Sequence, residues 1–500
     1  MTISSNGDDS ATVAPTQNSS EFNPSGKTFF GHPRMLANLF SVEMWERFSY
    51  YGMQGIMIYY LYYAVSEGGS GLVDETTAAG IMGAYGGMVY LLAIVGGFVG
   101  DRVLGPERTL FYSCILIMGG HIALAVLPGA AGVIVGLILV ALGSGGLKTN
   151  ASALLGTLYS REDPRRDGGF TIFYMGVNIG SLTGPLLTSF GWGLWGFHAG
   201  FLLAAIGMAI GLTQYALTRK NLPESAHELS APLNRKEKIN YSVVLAVVLV
   251  IIAILIFAGL ITPANLASWV MGFIAVGALA LFTIILSDKQ NTAEEHSRVI
   301  SFIPMWIGNA VFWALYQQQF TVMALYSDTR LNWNILGMEL KPSLVNSINP
   351  IFIILFAPLF TLMWDKLGKR QPGTVSKFSM GIIGVGIAFL IFLTQAGNMS
   401  VNVGWIVLIL FVCSMAELAI SPVGTSLSTK LAPVRHRVNM VALYFTSVAL
   451  GTVLAGWLAK FYSLETEVPY FTSLGIGTIV VGLILWSLHK WITKRMVGVR

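Results

Sequence analysis

Charge is scarce in this chain: Asp, Glu, Lys and Arg make up 11% of its residues, where soluble globular domains carry about 25%. So few charges cannot cover a water-facing surface. Cysteine is nearly absent, and Cys114 and Cys413 both sit inside apolar runs, which excludes a disulfide framework and a metal-type Cys/His cluster. Also lacking is a basic stretch followed by an apolar core near the start, the mark of a cleaved signal peptide. The first 33 residues are instead rich in Ser, Asn, Gly and Asp, and residues 1–36 read as a disordered cytoplasmic tail. What the chain does have is apolar residues, at 54%, with a mean hydropathy of +0.66. Soluble enzymes, secreted scaffolds and disordered chains are excluded. The composition describes an all-α polytopic membrane protein, and its net charge of +5 concerns loop placement rather than nucleic acid.

A helix needs about 20 apolar residues to cross the hydrocarbon. Fourteen segments qualify, at roughly 37–64, 76–99, 109–127, 132–155, 169–189, 196–217, 241–260, 264–286, 299–326, 342–364, 375–396, 402–429, 437–461 and 470–493. An even number places both termini on one side, and basic loop residues mark the cytoplasm. Alternate loops hold Arg102 and Arg108, Arg161, Arg165 and Arg166, Arg219 to Lys238, Lys289 and Arg298, Lys366 to Arg370, and Arg435 and Arg437. The tail at 494–500 adds Lys494, Arg495 and Arg500. The intervening loops are nearly free of bases, except 327–341, where Arg330 and Lys341 are balanced by Asp328 and Glu339. Both termini are therefore expected in the cytoplasm, with the chain in a bacterial-type inner (plasma) membrane.

Two loops repeat a pattern. Asp101-Arg102-Val103-Leu104-Gly105 follows the second segment, and Asp365-Lys366-Leu367-Gly368-Lys369-Arg370 follows the tenth. Each places an acid at a helix end, then a base and a glycine turn. If each loop follows the second helix of a six-helix half, the chain divides into bundles at 37–217 and 299–493. The connector, 218–298, then carries an inserted hairpin (241–286) without charged residues, read as lipid-facing and without a direct part in transport. This resembles the major facilitator fold, 6+6 helices plus two.

An ionisable group near the bilayer centre costs about 2.5–3.5 kcal/mol, so those that persist there face a cavity and pair. Away from the segment ends these are Glu43, Glu46, Arg47, Lys148 and Glu417. Glu43 and Arg47 are four apart, on one helical face. Lys148 and Glu417 each lie in the fourth helix of a half. Two acids one turn apart beside an Arg and a Lys suit proton binding, because moving the Lys away leaves desolvation to favour the protonated form. The structural alternative is an ion cluster that only holds helices together. Other signals carry less. Gly143-Ser144-Gly145-Gly146-Leu147-Lys148-Thr149 lacks phosphate-loop spacing, and His121, deep in a span, reads as a hydrogen-bonded core histidine.

The first segment reads Glu43-Met44-Trp45-Glu46-Arg47-Phe48-Ser49-Tyr50-Tyr51-Gly52, which resembles the E-x-x-E-R-F-x-Y-Y-G signature of proton-dependent oligopeptide transporters. Further similar stretches are Gly143 to Asn150, Phe170 to Gly180, Phe312-Trp313-Ala314, Asn349-Pro350 and Glu417 to Pro422, so the resemblance covers residues 37–493. It implies that Glu43, Glu46, Arg47 and Lys148 exchange the coupling proton, with no other cofactor and no metal. It implies that Glu417, Asn178 and Asn349, with Ser421 beside them, hold a peptide's amino end and backbone, and that Lys148 meets its carboxylate. Tyr50, Tyr51, Tyr90 and Trp313 would line side-chain pockets. The expected partners are di- and tripeptides, protons and the bilayer, with no nucleic acid, and the unit a monomer.

The chain departs from this pattern where many members have an Arg and its acidic partner, here Gln54 and Gln317, and where a tryptophan is frequent, here Tyr444. Loss of both members of an ion pair leaves no orphan charge but removes one cation from the carboxylate clamp. Rival readings are transport of another small zwitterion or anion, such as an amino-acid conjugate or nitrate, a non-transporting receptor, and a membrane-embedded enzyme. Glu417 disfavours a lone anion, and no nucleophile–base pair, di-aspartate or metal motif sits at membrane depth.

Overall fold

The computed structural model describes residues 28–498 except 160–162, 164, 230 and 336. Arg161, Arg500 and most of the expected tail, residues 1–27, lie outside the described residues. Residues 28–36 are ordered rather than part of a disordered tail. A two-residue hairpin pairs Thr28–Phe29 with His32–Pro33, and His32 Nδ1 lies 3.0 Å from the Tyr159 hydroxyl.

The first group of helices comprises α1 (Met35–Tyr62), α2 (Glu75–Val99), α3 (Pro106–Val126), α4 (Gly129–Thr157), α5 (Arg166–Trp195) and α6 (Phe197–Thr218). The inserted pair is α7 (Arg235–Phe257) and α8 (Leu266–Ser287). The second group comprises α9 (Ala293–Tyr316), α10 (Val322–Arg330), α11 (Ile348–Leu367), α12 (Thr374–Ile391), α13 (Val403–Lys430), α14 (Arg437–Leu458), α15 (Glu467–Ser487) and α16 (His489–Arg495). Among the described residues thirteen helical stretches are long and apolar enough to cross a membrane. α1, equally long, carries Glu43, Glu46 and Arg47 in its middle. This is a nearly all-helical polytopic membrane fold of the major facilitator type, 6+6 plus two.

Local chemistry sets the ends. Asp74 caps α2 by accepting from the Thr77 amide at 2.9 Å, and Asn234 and Thr292 close capping boxes with Glu237 and Glu295. The expected ninth span, 299–326, is not one helix. It breaks at Gln317-Gln318-Gln319-Phe320 and restarts at Val322. Freed backbone and amide groups at such a break need partners in a bilayer. Thr321 Oγ1 donates to the Ala455 carbonyl at 3.1 Å, Gln318 Nε2 to the Ala314 carbonyl at 3.3 Å, and Tyr470 donates to Gln318 Oε1 at 2.9 Å. The last span likewise breaks, between α15 and α16.

The two groups meet on the face opposite the termini. There α2 and α14 touch through backbone, and a Cβ on Gly83 would stand 2.6 Å from Gly456 Cα. Tyr62 and Tyr63 of the first group donate to the two oxygens of Asp328 at 2.5 and 2.6 Å. Ser189 and Ser343 lie 2.6 Å apart, and Tyr59 donates to the Ala324 carbonyl at 3.2 Å. On the face of the termini, α4 and α5 make no comparable packing with α13 and α14 among the described residues. Tyr174, on the α5 side of that gap, is 59% exposed. The molecule is closed at one end and parted at the other. Arg330, an exception to the charge asymmetry of the loops, is buried in an ion pair with Glu467.

The inserted pair differs from a simple lipid-facing hairpin. α7 begins at Arg235 and buries nothing. α8 buries Ala267, Val270 and Ile274 in a cluster with Ala84 of α2 and Ala449 and Val453 of α14, so it spans both groups. The connector leading in lies along the turn after α2: the Ala231 and Leu233 amides donate to the Asp101 and Arg102 carbonyls at 3.2 and 3.3 Å, and Arg102 pairs with Glu237 at 3.3 Å. At its other end, Asp288 accepts from the Gln290 amide and lies 2.9 Å from His436. Together these hold its carboxyl below the usual range.

Candidate functional site

Gly-rich helices let the site form where the two groups face each other. A Cβ on Gly184 of α5 would stand 2.2 Å from the Phe48 carbonyl oxygen of α1, so α1 and α5 approach backbone to backbone and hold α1 rigidly. This helix presents the charge cluster. Arg47 Nε donates to Glu43 at 2.8 Å and lies 3.0 Å from Glu46. All three are buried. The second oxygen of Glu46 accepts from Ser144 of α4 at 2.9 Å.

Lys148, one turn beyond Ser144, makes no ion pair among the described residues. Its ammonium stands 4.0 Å from the centre of the Tyr90 ring, held by a cation–π contact. Tyr50 stacks on Tyr85 at 6.1 Å and meets Tyr51 edge-on at 5.2 Å, and Tyr51 stacks on Phe320 at 6.0 Å. Arg47, Tyr50, Tyr51, Gln54, Tyr90, Lys148 and Gln317 line one cavity of about 20 Å³, space for about one water. Phe320 and Thr452 complete it from the second group.

The second group contributes a different centre. Glu417 of α13 accepts a hydrogen bond from Tyr316, at the end of α9. Asn349, beside the same carboxylate, donates to Ser414 at 2.7 Å. Not every expected residue converges with these. Asn178 donates back to the Tyr174 carbonyl of its own helix at 3.1 Å. Among the described residues the buried Ser421 hydroxyl and Trp313 Nε1 have no hydrogen-bond partner, and the Trp313 ring packs on Phe312 and Tyr316. Tyr444 lies against Gly424, where its ring would stand 2.7 Å from an added Cβ. Gln54 and Gln317 line the cavity together, and Gln54 Oε1 has no hydrogen-bond partner among the described residues.

Several groups at the site escaped the sequence reading. Ser144 was legible, since it lies four residues before Lys148 on one helical face. Tyr316, Tyr85 and the Asp328 contact were not, because their partners are far away in sequence. His121 is buried, but contrary to expectation neither ring nitrogen has a hydrogen-bond partner among the described residues. Among the described residues no group of three His, Cys, Asp or Glu could hold a metal ion.

A sequence model of the POT family matches residues 107–476. A di-/tripeptide transporter of Lactococcus lactis subsp. cremoris is 40% identical over 497 residues, covering 96% of this chain and 99% of the relative. A crystal structure of a POT peptide transporter with sulfate superposes with a TM-score of 0.91 at 42% identity, covering 94% of this chain and 97% of the other. A POT family transporter in complex with 5-aminolevulinic acid gives a TM-score of 0.89 at 36% identity, over 93% and 98% of the two chains.

Proposed function

Because the chain belongs to the POT family, whose members are transporters and not enzymes, we propose that it imports di- and tripeptides together with protons by alternating access. The observation that supports this reading is the presence of two unlike buried centres, one in each group. Glu43, Glu46 and Arg47, with Lys148 over Tyr90, belong to the first group, and Glu417, with Tyr316, to the second. A zwitterion needs an anionic and a cationic pole at the bilayer midplane, between two bundles. Glu417, with Asn349 beside it and Ser421 one turn on, takes the ammonium, and Asn178, on the facing α5, takes part of the peptide backbone. Lys148, held over Tyr90 rather than by a carboxylate, takes the substrate carboxylate. Tyr50, Tyr51, Trp313 and Tyr444 bound the side-chain space, and Gln54 and Gln317 line it without charge.

Proton coupling follows from Arg47 being shared. When Glu46 or Glu43 binds a proton, Arg47 turns wholly to the other acid, and Lys148 loses part of the negative field that competes with substrate. Substrate carboxylate and proton are then taken up together. The coupling ion is H⁺ and no cofactor takes part.

We further infer that residues 37–217 and 299–493 are the two moving bodies, joined by 218–298, and that the protein works as a monomer in the inner (plasma) membrane. The face bearing the termini, with Arg102, Arg108, Arg219 and Arg435, is cytoplasmic by its basic loops. The closed end is then extracellular, and the form described faces inward. The test is uptake of a labelled dipeptide into proteoliposomes under an imposed pH gradient. Accumulation that a protonophore abolishes and unlabelled di- and tripeptides inhibit is expected. Uptake indifferent to both would overturn the reading.

A further inference from the structure

A second, larger cleft opens on the same face as the termini, within the second group. α11 buries only Asn349 and Pro350, so its later turns stand clear of α12. Between α11, α12, α13 and α16 lies a cleft of about 1080 Å³, at the upper end of what small-molecule sites occupy. Its position separates it from the transport site. Leu418 lines the cleft, whereas the adjacent Glu417 turns to Tyr316, as neighbours about 100° apart around a helix do.

The lining changes character with depth. Ala357, Phe360 and Leu418 form the inner wall. Trp364, one turn beyond Phe360 and so about 6 Å nearer the surface, stands at the mouth, where amphipathic rings sit at headgroup level. Lys377 and Lys430 line the same mouth, together with the acid Asp365. The Lys377 ammonium is already placed: it lies 4.1 Å from the centre of the Trp364 ring and donates to Gln371 at 2.9 Å. Thr361 and Ser426 add hydroxyls. On the side turned away from the cleft α11 exposes Leu355, Leu359 and Leu362. A soluble anion would use the mouth and leave the inner wall without a role, whereas an amphiphile uses both.

We propose that this cleft is a binding site for one anionic phospholipid of the leaflet on the side of the termini, its phosphate between Lys377 and Lys430 and its first acyl carbons against Phe360 and Leu418. Basic pockets between membrane helices on the cytoplasmic side suit such headgroups. The lipid fills the space that α11 leaves open and steadies that helix.

The test uses the full chain purified in neutral detergent, with retained lipid counted by native mass spectrometry and melting followed with added phosphatidylglycerol or phosphatidylcholine. Wild type should retain one phosphatidylglycerol in preference and melt higher with it. Lys377→Gln with Lys430→Gln should reduce that preference roughly 10- to 30-fold, and so should Thr361→Trp, which fills the cleft without changing charge. Lys366→Gln with Arg370→Gln, on the same face but outside the lining, should keep it. Equal preference in all variants would mean that the lipid reads only the general charge of the face, and the site would fall. Stabilisation by water-soluble glycerol phosphate matching that by phosphatidylglycerol would overturn the lipid assignment in favour of a free phosphate. Should the double lysine variant fail to fold, Thr361→Trp with the single Lys377→Gln decides the same question.

Discussion

The two charged centres, one in each group of helices, are wired differently. On α1, each of two carboxylates lies within 3.0 Å of one guanidinium, and one of them also accepts from a serine. On α13, Glu417 is met by a phenol and an amide rather than by a cation. In the first centre a change in protonation redistributes Arg47 among existing partners. In the second, the partners among the described residues are neutral donors, so an incoming ammonium adds a counter-ion. The function proposed above gives coupling to one centre and recognition to the other, and each proposal can be broken separately.

The largest effect is expected from Glu46→Gln. A proton crossing 100 mV and one pH unit supplies about 2.3 + 1.4 kcal/mol, enough for accumulation of several hundred-fold. The variant should lose all of it while counterflow, which needs no net proton movement, persists. Uphill accumulation surviving in both Glu46→Gln and Glu43→Gln would place the proton elsewhere. Lys148→Ala should come next, erasing discrimination between a dipeptide and its C-terminal amide. A charge-assisted hydrogen bond of about 1.5–3 kcal/mol corresponds to roughly 10- to 150-fold in competition for uptake.

Glu417→Ala should weaken peptides with a free amino group by a similar or smaller factor, and N-acetylated peptides little. Equal losses in inhibition constants would make Glu417 a gating residue. The smallest effect concerns the neutral pair. Gln54→Arg alone should reduce initial uptake rates several-fold, since Gln317 cannot neutralise a buried cation, and Gln54→Arg with Gln317→Glu should recover them. If single and double variants transport alike, the two glutamines are passive lining.

The spans and both poles were legible because a charge inside an apolar run is visible in one dimension, whatever its partners. Glu43, Glu46 and Arg47 even announce their geometry, since helical spacing puts them on one face. The break at 317–321 was not legible: Gln-Gln-Gln-Phe carries no proline or glycine, and the break is held by Ala455 and Tyr470, far along the chain. Tyr316 as partner of Glu417 was hidden for the same reason, 101 residues away. The seat of α8 was hidden differently. A helix apolar all round has no stripe to say which side is buried, so only the fold shows that it rests on α2 and α14. The ordered stretch at 28–33 lacks any strong strand signal, and its placement depends on Tyr159.

That connector also changes what a broken chain would mean. Residues 231–233 are laced to the turn after α2, residues 288 and 295 are fastened beside α14, and α8 rests on both groups. The peptide bonds at the tip of the hairpin, 258–262, lie in an exposed turn and hold together pieces that are already in contact. A protease site placed there should give two fragments that co-purify and still take up dipeptide, each half serving as the template on which the other is seated. The gene could accordingly be delivered as two reading frames, with α7 ending one and α8 beginning the next.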